Sequence, residues 1–372
     1  MKRIMNIASL LLMAAAVMFV SCEKDSGDDT SMDAGFYIMA DKNVIQSNGE
    51  DFATFTALLD GKDVTAEATF YLKEGKNMKP VSGNKLAASS AGKYEVIGAY
   101  GTFYTEDPVA VSAIDMPVPA AVEDPAASNT SFVHRAFLNQ YTGTGCGYCP
   151  GMIRALRAAF EDEETADMAV LAAVHSFGAG DPAYISGPRS NSYPYLHIDM
   201  VSGFTYDMDP FGEGKVLKTA LQERTSMPAK VGISANPVYQ DDVLVVTVEV
   251  KAAETGEYNL GVWFMQDNVY GQQKDQIGIV AGDKSFEYHD NCVRSADSRY
   301  LNSYAGYPLG EIKAGKTAQR TFVLNIDKTE WKLKDMNNIH FAAFVTAKNG
   351  KAYEVMNVID CPYNEPTPYE YK

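Results

Sequence analysis

The sequence predicts a multidomain α+β protein in which two β-sandwiches flank a central α/β domain. Short alternating strands dominate residues 35–114 and 229–362, whereas residues 131–228 alternate between strand and helix patterns. At 372 residues the chain is too long for one ordinary core. We place the boundaries at 1–21 (signal peptide), 22–34 (acidic tether), 35–114 (first sandwich), 115–130 (linker), 131–228 (α/β domain), 229–362 (second sandwich) and 363–372 (tail).

The N-terminus is typical of an exported lipoprotein. Lys2 and Arg3 precede an apolar stretch that is too short for a secure membrane span. The stretch ends at Ser21-Cys22, which is similar to a relaxed bacterial lipobox. We therefore expect acylation of Cys22, with palmitate as the acyl chain, and a tether to the outer membrane. The alternative is an ordinary secretory signal with an incidental cysteine.

Negative charge marks the segment after Cys22 and the chain as a whole. Residues 23–30 are rich in acidic side chains and lack apolar ones, so they cannot pack into a core. An acidic run at this place resembles the surface-export signal of Bacteroidetes lipoproteins, although a solvated tether has the same composition. The formal net charge of −16 argues against nucleic-acid partners and against binding anionic headgroups by charge.

The first sandwich is predicted from residues 35–114. Asp60-Gly61 follows an alternating run and predicts a hairpin turn, and residues 68–72 and 92–100 alternate with period two. The pattern resembles the bacterial Ig-like repeats of surface proteins, which implies a spacer role. Prolines among alanines and acids then make residues 115–130 a semi-stiff linker.

The remaining elements are predicted from hydrophobic periodicity. The run over 168–174 is apolar throughout, as in a strand buried on both faces of a mostly parallel sheet. A polar, Tyr-rich segment over 270–304 interrupts the last sandwich, and loops of that length are usually functional or partly disordered. Its tyrosines either form a binding surface or pack against the sandwich. We expect strands over 132–141, 168–174, 195–198, 243–250, 261–264, 321–326, 339–345 and 352–358, and helices from Pro150 and over 215–224.

The motif with the most chemical content is Cys146-Gly147-Tyr148-Cys149, which opens a predicted helix directly after a predicted strand. A helix N-terminus favours a thiolate, so Cys146 is the expected nucleophile and Cys149 the resolving cysteine. This context resembles thioredoxin-like proteins. The resemblance implies thiol–disulfide exchange with protein thiols or disulfides as partners.

In the thioredoxin-like fold a cis-proline lies beside the dithiol. Pro194 is the matching candidate, because it directly precedes a predicted strand, and with Tyr193 it would hold the substrate strand. Pro182 and Pro188 are rivals, but both lie in loops with no strand after them.

Two positions depart from the thioredoxin-like pattern. Gly145 stands where the family commonly has an aromatic residue, and Gln140 stands where a buried carboxylate often accepts a proton. An amide cannot accept that proton, so Glu161 or His175 would have to substitute. These departures favour the alternative that Cys146 and Cys149 form a structural disulfide.

Other cysteines and histidines leave further interpretations open. A zinc site is disfavoured because no second C-x-x-C exists, so no metal or cofactor is expected. His175 and His197 are predicted to be core or edge histidines. Cys292 and Cys361 either pair with each other or remain two free thiols.

Over about residues 131–360 the order of features resembles the twenty-eight-kilodalton outer-membrane lipoprotein family of Bacteroidetes. The resemblance implies a thioredoxin-like domain but no defined activity. The sequence thus predicts a cell-envelope lipoprotein that acts as a thiol–disulfide oxidoreductase through Cys146 and Cys149. The alternative is a non-catalytic surface binding or adhesion lipoprotein in which that pair is structural.

Overall fold

The structure is a computed structural model that describes residues 35–105, 107–186, 189–205, 213–296 and 306–372. The predicted signal peptide, the lipidation candidate Cys22 and the acidic tether lie outside the described residues, as do Tyr300 and Tyr304. Within the described part, neither α-helix is long and apolar enough to cross a membrane.

The N-terminal part consists of two β-sheets around one core. In β3 the side chains of Ala53, Phe55 and Ala57 are buried while their neighbours are more exposed, so alternate residues face inward. Phe55 packs on Phe70 from the other sheet, with ring centroids 5.8 Å apart. The strands are β1 (Phe36–Ala40), β2 (Val44–Gln46), β3 (Phe52–Leu59), β4 (Lys62–Asp63), β5 (Thr69–Glu74), β6 (Asn77–Pro80), β7 (Lys85–Ala87), β8 (Gly92–Tyr100), β9 (Phe103–Tyr104) and β10 (Val109–Ile114).

The central segment contributes four strands and both described α-helices. All seven residues of β11 are buried, and β11 pairs in parallel with β12 and antiparallel with β13. Helix α1 begins at Cys149 with Pro150 in its first turn, where a missing N–H costs nothing. The elements are β11 (Ala136–Thr142), α1 (Cys149–Phe160), β12 (Ala169–His175), β13 (Tyr195–Ile198), β14 (Ser202–Thr205) and α2 (Lys215–Ser226).

The C-terminal part is again β-structure. The strands over 231–240, 243–252 and 317–325 make one sheet. This sheet packs against the strands over 256–266, 339–349 and 352–362. Two 3₁₀ helices, Lys284–Glu287 and Met336–Asn338, connect strands. The strands are β15 (Val231–Gln240), β16 (Val243–Ala252), β17 (Gly256–Gln266), β18 (Val269–Tyr270), β19 (Tyr288–His289), β20 (Cys292–Ala296), β21 (Tyr307–Ile312), β22 (Thr317–Asn325), β23 (Ile339–Asn349) and β24 (Ala352–Pro362).

The central and C-terminal strands form one continuous sheet, and this corrects the predicted fold class. Strand β20 lies in parallel beside β12, with Cys292 opposite Ala173. The order is β14-β13-β11-β12-β20-β17-β23-β24, with β21 on β17, which makes nine described strands. Strands make up 47% of the structure and helices 10%. The multidomain α+β class with a central thioredoxin-like α/β domain is therefore wrong, and the described protein is nearly all β.

The physical reason for the error is that an apolar run predicts burial but not the neighbouring strand. The run in β12 is buried on both faces as expected, yet one of its edges is covered by a strand from within the Tyr-rich segment. The core is shared accordingly: Phe137 stacks on Phe344 at 4.8 Å and meets Trp263 at 5.5 Å between centroids. The proposed boundaries along the chain stay a prediction.

Candidate functional site

The two cysteines of the motif are joined in a buried disulfide. The Cys146–Cys149 bond has an S–S distance of 2.07 Å, and the two side chains are 2% and 0% exposed. The loop between β11 and α1, residues 143–149, which we call the dithiol loop, presents them at the helix N-terminus. The sequence predicts that the two cysteines lie at a helix N-terminus. It does not predict that another part of the chain forms a cover over this loop.

That cover is a segment of the C-terminal part, residues 271–290, which we call the strap. The side-chain amide of Gln273 donates to the carbonyls of Thr144 (3.3 Å) and Cys146 (2.9 Å). The backbone N–H of Gln276 donates to the Gly147 carbonyl at 2.9 Å. A Cβ built on Gly147 would lie 2.4 Å from Cγ of Gln276, so a larger residue there would require the Gln276 side chain to move. The strap therefore lies directly on the dithiol loop.

The strap is anchored on α1 as well. The Arg157 guanidinium donates to the hydroxyl (2.8 Å) and the carbonyl (3.1 Å) of Ser285 and lies 4.4 Å from the ring centroid of Phe286. Tyr270 and Tyr288, two of the expected binding tyrosines, are exposed and pack edge-on against each other. The Tyr-rich segment therefore packs against the helix that begins with Cys149.

Tyr193 and Pro194 lie at the start of β13. The Tyr193–Pro194 peptide bond is cis, as expected. The Tyr193 hydroxyl is 2.9 Å from that of Ser176, and its ring packs edge-on against Phe177. A Cβ on Gly145 would lie 3.4 Å from the Phe177 ring, so Phe177 covers the position where an aromatic neighbour of Cys146 was missing in the sequence. A substrate-binding role for Tyr193 and Pro194 stays a prediction.

Of the two expected proton acceptors, Glu161 lies far from the disulfide. Glu161 follows the C-terminal end of the twelve-residue helix α1, about 18 Å from its start at 1.5 Å per residue. Gln140 is buried, and within the described residues its Nε2 has no hydrogen-bond partner. It lines a cleft of about 250 Å³ behind α1, together with Thr142, His175 and His289.

His175 belongs to a buried cluster that the sequence does not reveal. Its Nδ1 is 3.0 Å from both Asp181 carboxylate oxygens, and its Nε2 is 3.5 Å from the Cys292 Sγ. The backbone N–H of Thr144 donates to Asp181 at 2.5 Å, so the dithiol loop is tied to the same carboxylate. We call His175, Asp181 and Cys292 the Cys292 cluster. The predicted interpretation of His175 as a plain core histidine misses this arrangement.

Electrostatics in the cluster favour a charged imidazole. Burial alone lowers the pKa of His175, but its interactions with Cys292 and Asp181 outweigh burial and raise that pKa to about 10. For Asp181 burial acts in the opposite direction and raises the pKa. The hydrogen bond to His175 and the charge of that ring outweigh burial and lower the pKa of Asp181 to about 2. Burial, helped by the charge on His175, lowers the pKa of His289 to about 4.

Cys361 provides the contrast within the same structure. Cys292 and Cys361 are both free and both 0% exposed, so of the two alternatives left open by the sequence the structure has two free thiols. Burial raises the pKa of the Cys361 thiol well above its ordinary value. Cys361 is thus a buried neutral thiol, whereas Cys292 faces an imidazole.

A second, more open cleft of about 580 Å³ lies beside β13. Aromatic rings line it, with Tyr195 and His197 edge-on at 4.9 Å. Arg189 and Lys351 supply positive charge, and within the described lining there is no carboxylate. We call it the aromatic cleft. Its lining is Tyr141, Arg189, Ser190, Asn191, Ser192, Tyr195, His197, Met200, Lys351, Ala352 and Tyr353.

No described part of the chain assembles a metal site, since no group of three or more His, Cys, Asp or Glu residues there could hold an ion. No protein-family model matches the chain, and no curated protein matches it. Solved structures do resemble it.

HBP35 of Porphyromonas gingivalis matches with a TM-score of 0.50 and 16% identity, over 64% of this chain and 78% of its own. A domain of the outer membrane lipoprotein Omp28 from Porphyromonas gingivalis matches with a TM-score of 0.25 and 17% identity, over 37% of this chain and 89% of its own. At such identity the likeness to HBP35 shows a shared fold, and the Omp28 match carries no further argument.

Proposed function

We propose that this protein is a non-catalytic binding lipoprotein of the cell envelope in which Cys146–Cys149 is a structural disulfide. The observation that carries the proposal is that both cysteines are buried while the strap holds the dithiol loop through side-chain and backbone hydrogen bonds. The competing function, thiol–disulfide exchange through Cys146, needs those sulfurs to meet a partner thiolate.

Exchange requires an incoming thiolate to reach one sulfur of the bond. Here both cysteines are buried, and a movement of the dithiol loop that exposed them would break the Gln273 amide bonds. Each such bond contributes about 1 kcal/mol net, and an amide left buried without a partner costs more. The surrounding fold therefore protects the disulfide from exchange.

The location is part of the proposal. An apolar leader that ends at Cys22 supports acylation, and an acylated cysteine anchors a protein without a spanning helix. The acidic residues after Cys22 support a tether on the cell surface.

The aromatic cleft is the surface that best suits a ligand. It combines ring faces, hydroxyl and amide groups, and the cations Arg189 and Lys351 on a chain with a net charge of −16. Binding sites generally join apolar walls with a few convergent polar groups, and Arg suits carboxylates. The cleft therefore fits a hydroxyl-rich ligand that carries negative charge, such as an acidic oligosaccharide.

The disulfide is tested by incubating the native full chain, purified in detergent, with millimolar reduced glutathione. Free thiols are then alkylated and quantified by mass spectrometry. We expect Cys146 and Cys149 to stay unmodified in the native protein and to be alkylated once denaturant opens the strap. Alkylation in the native state, together with turnover of a peptide disulfide, would establish the oxidoreductase instead.

The aromatic cleft is tested by calorimetric titration with a galacturonic-acid oligosaccharide and, as a control, a neutral oligosaccharide of equal length. We expect binding of the acidic ligand that falls at least tenfold in Tyr195→Ala and Arg189→Ala. Tyr104→Ala, which removes an exposed tyrosine of the first sheet pair, serves as the matched control and should change nothing. Equal binding of both ligands, or none, would remove this ligand class.

A further inference from the structure

The Cys292 cluster has the connectivity of an activated nucleophile. A thiol, an imidazole and a carboxylate follow one another, with Sγ 3.5 Å from Nε2 of His175 and Nδ1 of the same ring 3.0 Å from Asp181. A cysteine next to a protonated histidine is the usual way in which proteins stabilise a thiolate. The second neighbour of the sulfur, the Asp290 carbonyl, is farther away at 3.9 Å.

The carboxylate is fixed independently of the thiol. Asp181 accepts the backbone N–H of Thr144 at 2.5 Å and that of Ala183 at 2.8 Å, besides the His175 ring. Three donors hold its charge in place, so it orients the imidazole with Nε2 toward the sulfur. The position of the imidazole is thus set by contacts that do not involve Cys292.

Three other titratable side chains lie around the imidazole of His175. The His289 ring lies edge-on 5.2 Å from that of His175, and its Nε2 is 3.0 Å from the carbonyl of Gly271. Arg294, on the same strand as Cys292, interacts electrostatically with Cys292 and with Asp181. The more distant Arg157 adds positive charge on the His289 side.

A cleft reaches the imidazole side of this cluster, since His175 is one of its lining residues. The cleft of about 250 Å³ behind α1 ends against Ala173, His175 and Asn291. These residues are the strand partner of Cys292, its imidazole neighbour and the residue before it. Gln140 and Thr142 offer the cleft buried polar atoms that have no protein partner within the described residues. The cleft has both polar and apolar walls, and it is too small to admit a cysteine of another protein but large enough for hydrogen peroxide.

We propose that Cys292 is a peroxide-reactive thiol, held as a thiolate–imidazolium pair by His175 and Asp181. The sulfur attacks one oxygen of hydrogen peroxide, the O–O bond breaks, and Cys292 becomes a sulfenic acid. Sulfur is oxidised by two electrons and the peroxide is reduced. The departing hydroxide takes the His175 proton and leaves as water, so the imidazole ends neutral.

The test exposes the full chain in detergent to hydrogen peroxide at pH 5.5 and pH 8. Catalase stops the reaction, and denaturation in dimedone tags sulfenic acid for quantification by mass spectrometry. We expect tagging of Cys292 at least tenfold faster than tagging of Cys361, with a rate that changes less than about threefold between the two pH values. An ordinary thiol with a pKa of about 8.5 would change more than a hundredfold.

Variants separate the role of the imidazole from a structural effect. We expect His175→Gln to lower the rate at pH 5.5 at least tenfold and to introduce a pH dependence. Asp181→Asn should shift the rate in the same direction, and His134→Gln, which alters a buried histidine elsewhere, should match the native chain. Should His175→Gln fail to fold, the native pH profile alone decides. An unreactive Cys292, or a rate that rises with pH as for a free thiol, would overturn the proposal.

Discussion

The dithiol loop and the Cys292 cluster are both buried sulfur sites, and they differ in what surrounds the sulfur. Cys146 and Cys149 are bonded to each other under a hydrogen-bonded strap, whereas Cys292 is a free thiol against an imidazole. The recognisable motif marks the shielded site, and no motif marks the one that faces a charged partner. Reactivity at cysteine follows the local charge and access, so a motif alone does not locate it.

Asp181 touches both regions, and its removal has the largest expected effect. Asp181→Ala leaves a buried imidazolium without its carboxylate and the Thr144 N–H without an acceptor. Breaking a buried ion pair costs about 3–5 kcal/mol, which chemical denaturation would detect as a lower free energy of unfolding. Asp63→Ala removes an exposed carboxylate that also caps a backbone N–H, and it should have little effect. An equal loss of unfolding free energy in both variants would mean that Asp181 stabilises the protein no more than an exposed capping carboxylate does.

Removing the disulfide has the next largest effect. The double variant Cys146→Ala/Cys149→Ala frees a short loop in the unfolded chain, so stability should fall by about 2 kcal/mol. The same denaturation experiment measures it, with Cys361→Ala as the control for losing a buried sulfur. A strongly oxidising catalytic disulfide has the more stable reduced form, so a gain in stability would contradict the structural role.

Loosening the strap should affect the disulfide locally. Gln273→Ala deletes the amide that donates to Thr144 and Cys146. A loss of about 1.4 kcal/mol in strap closure corresponds to a tenfold faster reduction by glutathione. Alkylation kinetics of Cys146 would show it, and Gln240→Ala, outside both regions, should reduce at the native rate. An unchanged rate in Gln273→Ala would mean that the strap does not protect the bond.

The last prediction concerns a pH dependence of stability. Burial lowers the pKa of His340, but Asp267 and Asp360 outweigh it and raise it to about 10, as at His175. A raised folded-state pKa contributes stability that is complete below about pH 6.5 and is lost as pH rises through 10. The gap in unfolding free energy between the native chain and His340→Gln should therefore shrink from pH 6 to pH 10. A constant or widening gap would show that His340 is not held protonated.

Local structure is largely predictable from this sequence. Periodicity places β13 over the observed four residues and α2 within two residues of its end. These elements depend on side chains close together in the chain, where the repeat of apolar residues is visible. The dithiol loop is predictable for the same reason, because a strand, a C-x-x-C and a helix are consecutive.

The assembly is not predictable from the same patterns. The pairing of β20 with β12 joins the central and C-terminal strands into one sheet, and this pairing makes the predicted α/β domain wrong. The contact of Cys292 with His175 depends on that pairing, so it is invisible in either local pattern. The unusual length of the Tyr-rich segment was the available signal, because Cys292 and the strap both belong to it.

The reduction potential of Cys146–Cys149 tests the central claim most directly. The native full chain is equilibrated in dithiothreitol buffers of graded potential, and the oxidised fraction is measured by alkylation and mass spectrometry. The account predicts a midpoint below about −300 mV, as for structural disulfides. A midpoint between about −270 and −120 mV, the range of thiol–disulfide oxidoreductases, would contradict it and return the catalytic role to Cys146.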